Sequence, residues 1–199
     1  VTVIDDSAAR QPLIPTTRAH IDEFLRAIGD EVSSPAQITL GTTTSLVWLN
    51  ILPASSTLDL ALGWGASAPA MTIPTDEVER LLAQRRERDH WEVSWPGMAI
   101  PLPDGWPERA QQVGRFGLLD VFISDPLSIA LAALARGTSQ DFANTLDLLK
   151  RNYCTISQIT IGYHNIVPRF PQTRLITKPD PEVMAVNLAA VRLWRRTHR

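Results

Sequence analysis

The chain has one cysteine, Cys154, among 199 residues, so no intrachain disulfide can form. That scarcity fits a reducing cytoplasm. Together with only four scattered histidines it leaves no recognisable zinc-ligand set. An excess of basic charge is missing too. A formal net charge of -2 and a pI near 6.1 argue against a protein that holds DNA or RNA mainly by bulk electrostatics. No apolar run approaches the roughly 18 residues needed to cross a bilayer, and VTVIDDSAAR opens with Asp5 and Asp6 where a secretory leader would be basic. The expectation is a soluble, untargeted, cytoplasmic protein without a membrane partner.

What is present is an ordinary folded composition, 44% apolar and 20% charged, in a chain long enough to bury a real core. Fifteen prolines and six tryptophans point to many fixed loop corners and several large packed side chains. There is no internal repeat and no low-complexity tract. We divide the chain into a loose N-terminal segment 1–15, an α/β core 16–125, and a helical part 126–199 packed on the core.

Thr16 or Thr17 is placed to cap a helix with Ile21, Phe24, Leu25 and Ile28 on one face and Gly29 at its end. Gln37–Leu40 reads as a strand running into Gly41. Thr42–Leu49 reads as a helix, Thr57–Leu62 as a second strand, and 63–74 as a Gly, Ala and Pro loop. Thr75, Asp76 and Glu77 open a charged helix to about Arg88 that turns Val78, Leu81 and Leu82 inward and leaves RRERD solvated. Strands are predicted at His90–Ser94, Met98–Leu102 and Leu118–Ile123, the first two separated by the Pro96-Gly97 turn. PDGWPER, from Pro103 to Arg109, is a loop entering a short helix or a turn.

Asp125-Pro126 is a cap followed by a first-turn proline and starts a helix to Arg136. Thr138 starts another to about Arg151, with Asp141 where a capping-box acid reaches back. Helices over Ile156–Val167 and after Asp180-Pro181 complete the chain, joined by a proline-rich connector; the last carries Val183, Met184, Val186, Leu188, Val191 and Leu193. Strands first and helices last make the fold class α+β, a mixed sheet flanked by helices with a helical C-terminal part. The terminal LWRRTHR and the Arg192 before it are basic, through Arg192, Arg195, Arg196, His198 and Arg199 around Trp194. They are read either as a contact for RNA or an acidic partner or as cations answering the helix dipole.

Three stretches, in this order and spanning roughly residues 16 to 194, resemble bacterial nucleotidyltransferase-like proteins related to the nucleotidyltransferases of minimal-type and AbiE-type toxin-antitoxin systems. The first is Gly41-Thr42, a helix, then Thr57-Leu58-Asp59-Leu60-Ala61, where the family shows Gly-Ser or a glycine pair and Thr-x-Asp-Ile-Asp. The second is LPDGWPER followed by a strand and DPLSIALAALARGTSQDFAN. Arg136 and Asp141 keep their places there, while Ser128, Ala133, Gln140 and Asn144 stand where the family often has an acid, Lys, Lys and Asp. The third is a proline-containing connector before an acid-capped helix with Asn187 inside it.

The resemblance implies a nucleotidyltransferase-like sheet, and Mg²⁺ as cofactor if the chain is active. Transfer of a nucleoside monophosphate uses metal ions clamped by carboxylates, and Asp-x-Asp on a strand aims both acids one way. Here Asp59 is the candidate catalytic and metal-binding residue, Ala61 replaces the second acid, and Glu92 in HWEVSW is the candidate third carboxylate. Gly41 and Thr42 are the candidate approach to the triphosphate at a helix start, with Arg136 and Asp141 as further nucleotide-binding candidates. Each has a plainer alternative: a strand-to-helix corner, a strand-end acid, an exposed strand residue and a helix-helix ion pair. Two functions follow. One is an active enzyme moving a nucleotide from a nucleoside triphosphate to a protein or RNA hydroxyl. The other, favoured because acids or lysines are replaced at 61, 128, 133 and 144, is a retired enzyme binding a nucleotide, an RNA or a protein partner.

Overall fold

A computed structural model describes residues 16–55, 58–62, 75–89, 93–94, 100–172 and 180–198. The loose segment 1–15, the loop 63–74, the Pro96-Gly97 turn and the connector from 173 to 179 lie outside the described residues.

Helix α1 (Arg18–Glu31) starts where its side chains dictate: Thr17 Oγ1 accepts from the His20 amide, and the His20 ring returns the contact to the Thr17 amide. Ile21, Phe24, Leu25 and Ile28 are buried, as their spacing requires. Gly29 does not end the helix. A Cβ there would lie 2.2 Å from the Phe116 carbonyl oxygen, so this glycine lets α1 touch backbone across the core. The chain turns extended only at Val32, whose amide donates to the Ile28 carbonyl.

The described residues hold five strands: β1 (Ala36–Leu40), β2 (Leu58–Leu62), β3 (Val93–Ser94), β4 (Gln111–Phe116) and β5 (Leu119–Ile123). They lie in the order β3-β2-β1-β5-β4. The sheet is mixed: β1 runs antiparallel to β2 and parallel to β5, β2 is parallel to β3, and β4 is antiparallel to β5. Ile38, Leu40, Val121 and Ile123 are buried in one apolar cluster with α1 and with Val78, Leu81 and Leu82 of α3 (Thr75–Asp89). Glu77 fastens α3 to the turn after α1 by accepting from the Ser33 amide and hydroxyl and from Ser34 Oγ, and these donors lower its pKa. Arg85, expected on a solvated face, instead pairs with Glu31 with its side chain 13% exposed.

Two strand expectations change. Residues 100–102 are not a strand; Pro101 and Pro103 supply no N–H for a ladder, and the Leu102 carbonyl accepts from Arg169 instead. Strand β4 was not foreseen, because QQVGRF is polar and carries a glycine. It exists through its partner: Arg115 forks onto Asp120 at 2.8 and 2.7 Å, Gln112 joins it, and Gly117 turns the hairpin at φ 58°. The Arg115 bonds hold the Asp120 carboxyl below its ordinary pKa.

The second cluster belongs to the later helices α5 (Pro126–Arg136), α6 (Ser139–Lys150), α7 (Ile156–Ile166) and α8 (Pro181–Thr197), with a 3-10 turn at Val167–Gln172. Each α-helix begins on its own side-chain cap: Asp125, Thr138, Thr155 and Asp180. Helix α2 (Thr42–Trp48) and the turn after it join the clusters, Val47 entering the first and Leu46 and Ile51 the second. In α8 only Met184, Leu188 and Val191 of the apolar set are buried; Val183, Val186 and Leu193 face out.

Gly29→Ala should therefore destabilise the fold by about 1–3 kcal/mol, despite the better helix propensity of alanine, because the methyl meets rigid backbone. Urea unfolding of the two proteins measures this. Equal or greater stability for the alanine variant would mean that α1 and the β4–β5 hairpin are not in contact.

Candidate functional site

Strands β1 and β5 end together, Leu40 beside Ile123. Each gives way to a helix, so two helix starts meet at one end of the sheet. The Leu40 carbonyl accepts the hydroxyls of Ser45 at 2.8 Å and Ser124 at 3.1 Å, and the Ser124 amide donates to Ser45 Oγ. Gly41 is buried and precedes α2 with φ -67° and ψ 179°, backbone that any residue adopts. Gly41, the N-cap of α2, has no side chain with which to cap the helix.

The other helix start is Asp125, 2% exposed. Its Oδ1 accepts from the Leu127 amide. Its Oδ2 accepts from Ser128 N, Ser128 Oγ, and Arg109 Nε and Nη2 at 3.0 and 2.9 Å. A short helix α4 (Trp106–Arg109), entered through Gly105 at φ 70°, delivers the arginine, and the Asp104 carbonyl steadies it at 2.9 Å. Reading the chain alone treats Asp125 as a cap and misses this ion pair; the only signal was an arginine closing PDGWPER. Ser128 is explained by the same group. A carboxylate at 128, as the resembling proteins have, would stand against the Asp125 carboxylate where Ser128 Oγ donates at 2.9 Å.

Asp59 lies in β2 and pairs with Ser94 of β3. The next residue, Leu60, sits opposite Leu40, and Ala61 sits opposite Thr39. The backbone at Asp59 is thus at the sheet end where β1 passes into Gly41 and Thr42. Glu92 lies outside the described residues. Thr39 Oγ1 and Gln37 Oε1, both on β1, are buried and meet no hydrogen-bond partner among the described residues. Among the described residues no group of three or more His, Cys, Asp and Glu could hold a metal ion.

Arg136 and Asp141 are not part of this sheet end. The 11 residues of α5 carry Arg136 about 16 Å along the helix from Asp125. There Asp141 is the hub of a corner: it accepts from Arg136 Nη2 at 2.5 Å and from the hydroxyl and amide of Thr138 at 2.8 and 3.3 Å. Gly137 turns the corner at φ 70°, and Asn187 of α8 donates to the Leu134 carbonyl at 2.8 Å and packs on that glycine. Ala133 is 1% exposed, so a lysine there would bring its charge into the core. Asn144 is buried and accepts from Gln140 at 2.9 Å.

Cys154 is buried and its thiol is pushed up to about 12, first by burial and then by the charge of Asp125. It is no nucleophile at neutral pH. His20 serves the α1 cap, and His90 lies outside the described residues. No helix among the described residues is long and apolar enough to cross a membrane. Comparison with protein-family models, with curated proteins and with solved structures found no match.

Asp125→Ala should cost about 3–5 kcal/mol, because it removes a cap and strands a partly buried arginine. Arg109→Ala should cost less, since three donors remain on Asp125. Chemical denaturation orders the pair, and the reverse order would refute Asp125 as the organising group. The Cys154 thiol should react slowly with a disulfide reagent at pH 8 in the folded protein and rapidly in denaturant. Its raised pKa also contributes stability that is full below the ordinary thiol value of 9.0 and is lost as pH climbs toward 12. Cys154→Ser should flatten that alkaline loss in pH-dependent unfolding.

Proposed function

We propose that this chain is a nucleotidyltransferase-like scaffold with a degenerate metal site, serving as a binding module for a nucleotide, an RNA or a protein partner, in a role linked to a toxin-antitoxin pair. The observation that supports it is the strand, glycine, helix, strand unit from β1 through Gly41 and α2 to β2. Its register brings the start of β2, with Asp59, back beside the end of β1. A fold likeness alone assigns no activity, so the residues at that sheet end carry the rest.

The donor set does not suit a catalytic divalent ion. Mg²⁺ takes near-octahedral oxygen ligands, with carboxylates supplying the charge. Ala61 offers a methyl, and its partner across the ladder, Thr39, offers one neutral hydroxyl. What remains is a binding end at Gly41 and Thr42, where β1 passes into α2 beside the start of β2. That same feature favours the second reading, an active Mg²⁺-dependent nucleotidyltransferase with Asp59 and Glu92 as its carboxylates.

The two part in one experiment. The chain is incubated with Mg²⁺ and α-labelled ATP, CTP or GTP, with and without RNA, and label in protein or RNA is counted. The expected result is no incorporation, with calorimetry showing either no heat or binding that survives Asp59→Ala and chelation of Mg²⁺. Ala61→Asp should tighten Mg²⁺ binding by restoring the missing acid. Incorporation that Asp59→Ala abolishes would replace the degenerate reading with the active one.

A further inference from the structure

On a chain of formal net charge -2, one groove gathers cations without acids. It has a volume of about 970 Å³ and runs between the C-terminal half of α8 and the turn from α6 into α7. Arg192, Arg195, Arg196 and His198 line it together with Thr155 and Ser157, and no Asp or Glu is among its lining residues. Elsewhere Arg26, Arg85, Arg109, Arg115, Arg136 and Arg169 each meet a carboxylate. The three arginines of the groove meet none among the described residues. Among the described residues Arg192 is steadied by Thr160 Oγ1, at 2.8 Å. A helix dipole accounts for a cation in the last turn of α8, but not for three guanidinium groups around one cavity with no acid between them. Their mutual repulsion is relieved by an anion that enters.

We propose that this groove binds single-stranded RNA through its phosphates. Guanidinium groups match phosphate oxygens two bonds at a time. Arg192 and Arg196 stand one helical turn apart, so they present charge along a line rather than at a point. The aromatic neighbours set this apart from a site for an acidic peptide. The exposed His198 ring, which lines the groove, is held flat by stacking on Trp194 at 4.6 Å and 10°, and Lys150 covers the same indole at 5.4 Å. A flat ring beside arginines is what unpaired bases stack on, and carboxylates make no use of it. The groove shares no residue with Gly41, Thr42 or Asp59, so its test stands apart from the proposed reading of the sheet end.

Fluorescence anisotropy of a labelled ten-nucleotide RNA, titrated with the full chain between 50 and 200 mM salt, tests the proposal. Arg195 and Arg196 make no described hydrogen bond, so Arg195→Ala/Arg196→Ala should leave the thermal unfolding midpoint unchanged. It should weaken RNA binding roughly tenfold or more at low salt and flatten the slope of log affinity against log salt by about 1.4, two single-strand phosphates' worth. A lysine pair at the same positions should restore most of the affinity. No RNA binding at 50 mM salt would overturn the proposal. So would a double-alanine variant within twofold of the parent, equal competition by a polyglutamate peptide of matched charge, or binding of free nucleoside triphosphate alone.

Discussion

A buried carboxylate holds the two halves of this protein together. Asp125 sits at the point where the sheet stops and the helical part begins, and a charge at 2% exposure persists only if its lone pairs are filled. Arg109, Leu127 and Ser128 fill them. One group therefore sets where β5 ends, where α5 starts and where the short helix α4 lies. The Leu40 carbonyl, taking hydroxyls from Ser45 and Ser124, ties the neighbouring strand end to the same place. The orientation of α5 then determines where α6, α7 and α8 pack.

Seen from that junction, the departures from the resembling proteins are not scattered losses. Ser128 donates to Asp125, Ala133 fills a sealed position in α5, and Asn144 is buried against Gln140. Each replaces a charge that this packing would have to desolvate. Arg136 and Asp141, which do keep their places, fasten a helix corner that Gly137 and Asn187 complete. Neutral side chains at these positions spare the fold the cost of burying further charge.

Helices were legible because their signals are local. Thr17, Asp125, Thr138 and Asp180 each cap the helix that follows, and a hydroxyl or carboxylate reaching an amide two or three residues on needs no distant partner. The strands at 36–40, 58–62 and 119–123 were legible from short apolar runs between breakers. The candidate site was legible only as an order of residues: Gly41, then a helix, then Asp59 and Ala61. That Asp59 returns to the end of β1 depends on register, and the Arg109–Asp125 pair joins residues 16 apart that no local pattern connects.

Composition and spacing by themselves settled the α+β class, the helix starts and the absence of disulfides, since propensity, caps and cysteine count act over a few residues or none. Tertiary structure decided the rest. QQVGRF became a strand because Asp120 across the hairpin holds Arg115 and Gln112. Gly29 became a point of close approach rather than a helix end because Phe116 lies against it. Val183, Val186 and Leu193 stayed exposed because, among the described residues, α8 buries one face alone, through Met184, Leu188 and Val191. In every such case the deciding partner is far away in the chain, and only packing brings it within reach.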